Sequence, residues 1–130
     1  MKAATGRERT GHADFTGTRA FYAHCAGSRT AGEIPVGALV VRNGEILSQA
    51  RNEREERSDI SAHAEILALR RPGEKLGHWA LPGCTLYVTL EPCPMCAGAI
   101  VQARPSLVVY GAFDEQMGAM GSVYALHQDA

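Results

Sequence analysis

The strongest constraint on this chain is a pair of short motifs that must meet in space. His63-Ala64-Glu65 comes first; Pro92-Cys93-Pro94-Met95-Cys96 follows, and the apolar run Leu86-Tyr87-Val88-Thr89-Leu90 leads into it. Cys93 and Cys96 stand at i and i+3, on one helix face, so both thiols can reach one ion. Proline favours the first turn of a helix, which predicts a helix over Cys93 to Ala103. Ser61 is a good N-cap for the periodic residues Ile66, Leu67 and Leu69, predicting a second helix with His63 in its first turn. His63 and Glu65, at i and i+2, share no lateral face. Both can serve a site off the helix end, where first-turn side chains fan around the axis. Such a fold sets two helix N-termini against one metal, and their partial positive charge favours thiolates.

Two thiolates and an imidazole suit zinc, and a fourth protein ligand would close the site and make it structural. Cys84 is a candidate for that place, but the extended run between it and Leu90 spans about 20 Å at roughly 3.3 Å per residue. Cys25 lies beside Phe21 and Tyr22 in the other half of the chain and reads as a lone buried thiol. A Cys-x-x-Cys alone would equally suit a redox pair or half a zinc knuckle. His-x-Glu followed by Pro-Cys-x-x-Cys, with a strand between, is more specific and matches the signature of zinc nucleobase deaminases. The expected content is one Zn²⁺ per chain, held by His63, Cys93 and Cys96, with Glu65 outside the ligand set.

With 130 residues the chain fits one domain with a core that needs no disulfide staples. Four cysteines, two of them committed to metal, suit a reducing compartment. No long apolar run or signal peptide is read, so the expected setting is cytoplasmic, with no membrane partner. A net charge of −1 gives no global sign of a nucleic-acid partner. Arg51, Arg54 and Arg57 cluster, but they interleave with Glu53, Glu55 and Glu56, which equally fits a solvated loop.

Residues 1–14 are polar and aperiodic, an expected disordered lead before a domain over 15–130. A first helix is expected over Thr16 to Ser28. Val36 to Val41 and Glu45 to Gln49 flank Arg42-Asn43-Gly44, a strong hairpin signal. Helix from Ala62, strand at Thr85, helix from Pro94, strand at Leu107 to Tyr110 and a weak helix after Gly118 complete the pattern. Strands joined by crossover helices run parallel, so the expected fold is α/β: a three-layer αβα sandwich on a central mixed sheet.

The chain resembles the bacterial tRNA-specific adenosine deaminases of the cytidine deaminase-like superfamily. The similarity rests on Glu33-Ile34-Pro35-Val36-Gly37-Ala38, Asn52, Ala62 to Glu65, Leu86 to Ile100, Val108 to Ala112, Asp114 and Gly118-Ala119-Met120-Gly121-Ser122. The resemblance implies zinc ligands at His63, Cys93 and Cys96 and a proton shuttle at Glu65. It implies a purine contact at Asn52 and a ribose contact at Asp114; each also fits a plain turn residue, and Asp114 a helix cap. Glu91, beside two prolines at a strand end, has little freedom to reach substrate and reads as structural.

The implied reaction is hydrolytic deamination of adenosine to inosine at the wobble position, with a tRNA anticodon stem-loop as partner and a homodimer as the assembly. The resemblance also implies a further edge strand and a C-terminal helix past Ala130. Two rivals stay open: a deaminase of a free base or nucleoside such as guanine, and a zinc-stabilised, non-catalytic nucleic-acid-binding module.

Overall fold

Asn43 and Gly44 both take positive φ, 51° and 77°, the backbone a two-residue hairpin loop demands. They join β2 (Gly37–Arg42) to β3 (Glu45–Arg51), antiparallel, with a bulge between Val40 and Val41. A computed structural model of the chain describes residues 36–128 and the backbone of residues 2–5. The helix expected over Thr16 to Ser28, and Cys25 with it, lie outside the described residues.

After a short helix α1 (Arg54–Arg57) come α2 (Ala64–Leu76), β4 (Cys84–Leu90), α3 (Pro94–Ala103) and β5 (Leu107–Ala112). β4 pairs antiparallel with β2 and parallel with β5, so the sheet is mixed, as expected of a strand–helix–strand crossover through α3. The polar lead departs from expectation: Lys2–Thr5 form β1, parallel to β5, and the order is β1-β5-β4-β2-β3. A strand edge with unpaired N–H and C=O groups recruits even a polar segment, since the main chain supplies the bonds.

Strand side chains alternate between faces. Ala38, Val40, Leu86, Val88, Val108 and Tyr110 form one cluster with Leu67, Ala97 and Ile100 of α2 and α3. Leu39, Val41, Tyr87 and Val109 are buried on the opposite face. Among the described residues no helix is long and apolar enough to cross a membrane.

α2 carries Pro72 in its interior, which leaves the Ala68 carbonyl without the N–H four residues on. Ser48 of β3 supplies the missing donor, its Oγ lying 2.6 Å from the Ala68 oxygen in a buried setting. This bond ties α2, and hence the site at its N-terminus, to the sheet.

Candidate active site

Both motifs fall at helix starts, α2 beginning two residues and α3 one residue later than expected. Asp59 captures Ser61 through both its N–H, at 2.8 Å, and its hydroxyl, at 2.7 Å, so Ser61 does not cap α2. His63 and Cys93 occupy the N-cap positions of α2 and α3 with extended backbone, and neither makes a side-chain cap bond. Their side chains project off the helix ends and converge. The donor atoms of His63, Cys93 and Cys96 all lie within 4.8 Å of one another, a group able to hold a metal ion.

His63 Nδ1 lies 3.3 Å from Cys96 Sγ and 3.7 Å from Cys93 Sγ. A tetrahedron with Zn–N near 2.0 Å and Zn–S near 2.3 Å has N···S edges of about 3.5 Å, so the donor set fits that ion. Cys84 is buried at the far end of β4, its thiol directed at the Pro82 carbonyl at 3.9 Å, outside this group.

The electrostatics follow from crowding. The Cys96 thiol, hydrogen-bonded to Cys93, holds the Cys93 thiol down at about 4 against the effect of burial, and His63 adds to the lowering. That same bond, with burial and the neighbouring Glu65, pushes Cys96 up. His63 is raised chiefly by its bond to Cys93. Glu65, in the first turn of α2 and 4% exposed, is raised by burial.

Beside this cluster lies a cavity of 310 Å³, lined by Glu65, Asn52, Asp114, Arg54, Val36 and Met117 together with His63 and Cys93. The six residues singled out in the sequence thus meet at one place. Asn52 is buried, and its Oδ1 accepts the Arg54 main-chain N–H at 3.0 Å. Asp114 caps its own turn, Oδ1 accepting the N–H groups of Gln116 and Met117 at 3.0 and 3.1 Å, while also lining the cavity. Arg54, Val36 and Met117 were not singled out as site residues; Arg54 was visible only within its arginine cluster.

Glu91 is 1% exposed and braces the cavity wall. Its Oε1 accepts the Asp114 N–H at 3.2 Å, its Oε2 accepts the N–H groups of Met120 and Ser122 at 3.0 Å, and the Ser122 hydroxyl donates a further bond. Burial raises its carboxyl, but the Ser122, Met120 and Asp114 donors outweigh it and hold the group below the usual value. These bonds also explain why no helix follows Gly118. The N–H groups of Met120 and Ser122 turn toward Glu91, and the chain runs in turns to residue 128. Gly118 is required by the close approach: a Cβ there would lie 2.5 Å from the Glu91 carboxyl carbon.

A mixed sheet that presents a His/Cys/Cys cluster from two helix starts, with a buried carboxylate beside it, has the architecture of the cytidine deaminase-like class. Comparison with known proteins narrows this. The family model for MafB19-like deaminases matches residues 15–127, and the chain belongs to that family. It is similar to the tRNA-specific adenosine deaminase of Bacillus subtilis (strain 168), 52% identical over 98 residues, 75% of this chain and 61% of that protein. The chain therefore spans about three fifths of that relative's length. A solved structure from a study of A-to-I editing by tRNA:A34 deaminases at the wobble position of transfer RNA superposes with a TM-score of 0.82. That structure is 39% identical, over 85% of this chain and 80% of that one. The guanine deaminase of Bacillus subtilis is 37% identical with a TM-score of 0.72, over 80% of this chain and 66% of that one.

Proposed function

We propose that this chain is a zinc-dependent hydrolase that converts adenosine to inosine at the wobble position of a tRNA anticodon loop, with residues 15–130 forming its deaminase domain. The observation that carries the reading is the geometry. His63, Cys93 and Cys96 surround one point, and the buried Glu65 faces the same cavity without joining the ligand set. A purely structural zinc site has no use for that carboxylate. Zinc held by His63, Cys93 and Cys96 would supply Lewis-acid activation of a water molecule. Glu65 takes a proton from the attacking water and gives it to N1 of the purine as the water oxygen bonds to C6; it then moves the proton of the new C6 hydroxyl to the amino group, which leaves as ammonia as the C6–N bond breaks. Asn52, its Oδ1 engaged by Arg54, offers its Nδ2 group to a ring-nitrogen acceptor. Asp114 keeps one carboxylate oxygen outside its turn, suited to a ribose hydroxyl. A loop base splayed out of its stack can enter such a cavity, whereas a duplex base must first be extruded.

The likeness to deaminases of transfer RNA supports the choice of substrate and a cytoplasmic setting. A homodimer belongs to the same reading. The shallow groove along α3, lined by Trp79 at 61% exposure and Met95 at 39%, offers an apolar face to a second copy, to be checked by light scattering. The likeness to guanine deaminase keeps a free-base reaction as the rival. Inosine formation, measured by mass spectrometry on an anticodon-loop hairpin against free adenosine, cytidine and guanine, decides between them. The hairpin should react, with one zinc per chain; turnover of guanine and an inert hairpin would overturn the proposal.

A further inference from the structure

Three arginines follow one another along the segment 51–57, and their surroundings differ. Arg51 forms a two-pronged pair with Glu56. Arg57 lies 3.0 Å from Glu53 at i and i+4 and does not line the cavity. Arg54 instead lines the cavity that holds Glu65, Asn52 and Asp114, and among the described residues it is the one lysine or arginine that does so. It forms an ion pair with its neighbour Glu55 at 3.5 Å, where Glu55 is 67% exposed. An exposed pair of that kind is worth about 0–1 kcal/mol.

Two carboxylates of the cavity have donors of their own: Glu91 accepts four hydrogen bonds, and Asp114 accepts two within its turn. The backbone that carries Arg54 is pinned on all sides. Asn52 N–H donates to the Val36 carbonyl at 3.1 Å, Glu53 N–H to the Ala62 carbonyl at 2.9 Å, and Arg54 N–H to Asn52 Oδ1 at 3.0 Å. These bonds fix the backbone of Asn52 and Arg54 relative to each other, with an amide inside the cavity and a guanidinium, 43% exposed, at its lining. The spacing suits a ligand whose ring enters the cavity while an anionic group stays outside.

We infer that Arg54 is a specificity-determining residue that binds the phosphodiester next to the target nucleoside, and so selects a nucleic-acid strand over a free base or nucleoside. The inference rests on the deamination reading above. A planar guanidinium offers two parallel N–H donors and a full positive charge to phosphate oxygens, an anionic partner that a free base or nucleoside does not carry.

The test uses the zinc-loaded protein and its Arg54→Gln and Arg54→Lys variants, with Arg57→Gln as the control outside the cavity lining. For Arg54→Gln the ratio of kcat/KM on an anticodon-loop hairpin to that on free adenosine should fall about tenfold, mainly through KM. Anisotropy of a labelled hairpin should show the slope of log affinity against log salt reduced by about 0.7, one single-strand phosphate contact. Arg54→Lys should recover part of both losses, and Arg57→Gln should match the wild type. Equal losses on hairpin and adenosine, or an unaltered salt slope, would overturn the assignment of Arg54. A wild type that binds hairpin with an Arg54-dependent slope yet forms no inosine would overturn the reaction and leave the phosphate contact standing.

Discussion

Replacing Ser48 by alanine isolates one hydrogen bond whose worth can be worked from the structure. The Ala68 carbonyl belongs to a fully buried residue, and Pro72 denies it the usual helical donor. Ser48 Oγ replaces that donor. Removing the hydroxyl leaves a buried carbonyl unpaired, which costs about 1–3 kcal/mol; the loss of one small oxygen adds little packing cost. We expect about 2 kcal/mol, roughly a thirtyfold shift in the folding equilibrium. Urea unfolding at fixed zinc concentration measures it, since a metal bound to the folded state alone adds its own stabilisation. A double-mutant cycle with Pro72→Ala then tests the cause. Alanine at 72 restores the main-chain donor to Ala68, so Ser48→Ala should cost no more than about 0.5 kcal/mol in that background. Equal costs in both backgrounds would refute the argument, whatever their size, because the hydroxyl would then be acting elsewhere.

Three further outcomes follow from the site. Glu65→Ala should lower kcat by about 10⁴-fold or more with zinc content unchanged, because the carboxylate lies outside the ligand group; near-normal turnover in a rapid-quench assay would exclude a proton-transfer role. Cys84→Ala should keep one zinc per chain by elemental analysis while losing about 1 kcal/mol of stability, since the thiol is buried away from the cluster. Glu91→Gln should loosen the wall that carries Asp114 and Met117, because an amide nitrogen then faces main-chain donors, and hydrogen exchange at Met120 and Ser122 reads it. The folded carboxyl of Glu91 titrates below its ordinary value of 4.5, so its stabilisation is full above that value and lost as pH falls through the lower, folded one. The wild type should weaken across that acid window more steeply than the glutamine variant.

The parts of the fold legible in the sequence are those fixed by local chemistry. Asn43-Gly44 can adopt paired positive φ at little cost, so the hairpin could be placed from a dipeptide. The cluster of His63, Cys93 and Cys96 was legible because a His and a Cys-x-x-Cys placed at two helix starts can bring three donor atoms to one point. The start of α2 was misplaced because a serine hydroxyl has several possible partners, and Asp59, two residues back, competes with the helix end. The turns after Gly118 were hidden for a long-range reason. Glu91, far back in sequence, takes the donors a helix would have used. The Ser48 bond and the pairing of Lys2–Thr5 with β5 are likewise contacts between remote segments, and neither leaves a mark in the periodicity of either.

That pairing sets an order of assembly. Lys2 of β1 pairs with Leu107 of β5, so every residue between them must be synthesised before the edge can close. The β2–β3 hairpin closes within a few residues, β4 then adds to β2, and β5 to β4 only after α3 has formed its crossover. Loop-closure entropy makes the outermost parallel pairing the slowest. A nascent chain therefore carries an open β4 edge and then an open β5 edge, each able to capture a strand from a neighbouring chain. Pulse-labelled hydrogen exchange during refolding should find the amides of Ala3 to Thr5 protected last, well after those of Leu39 and Val41.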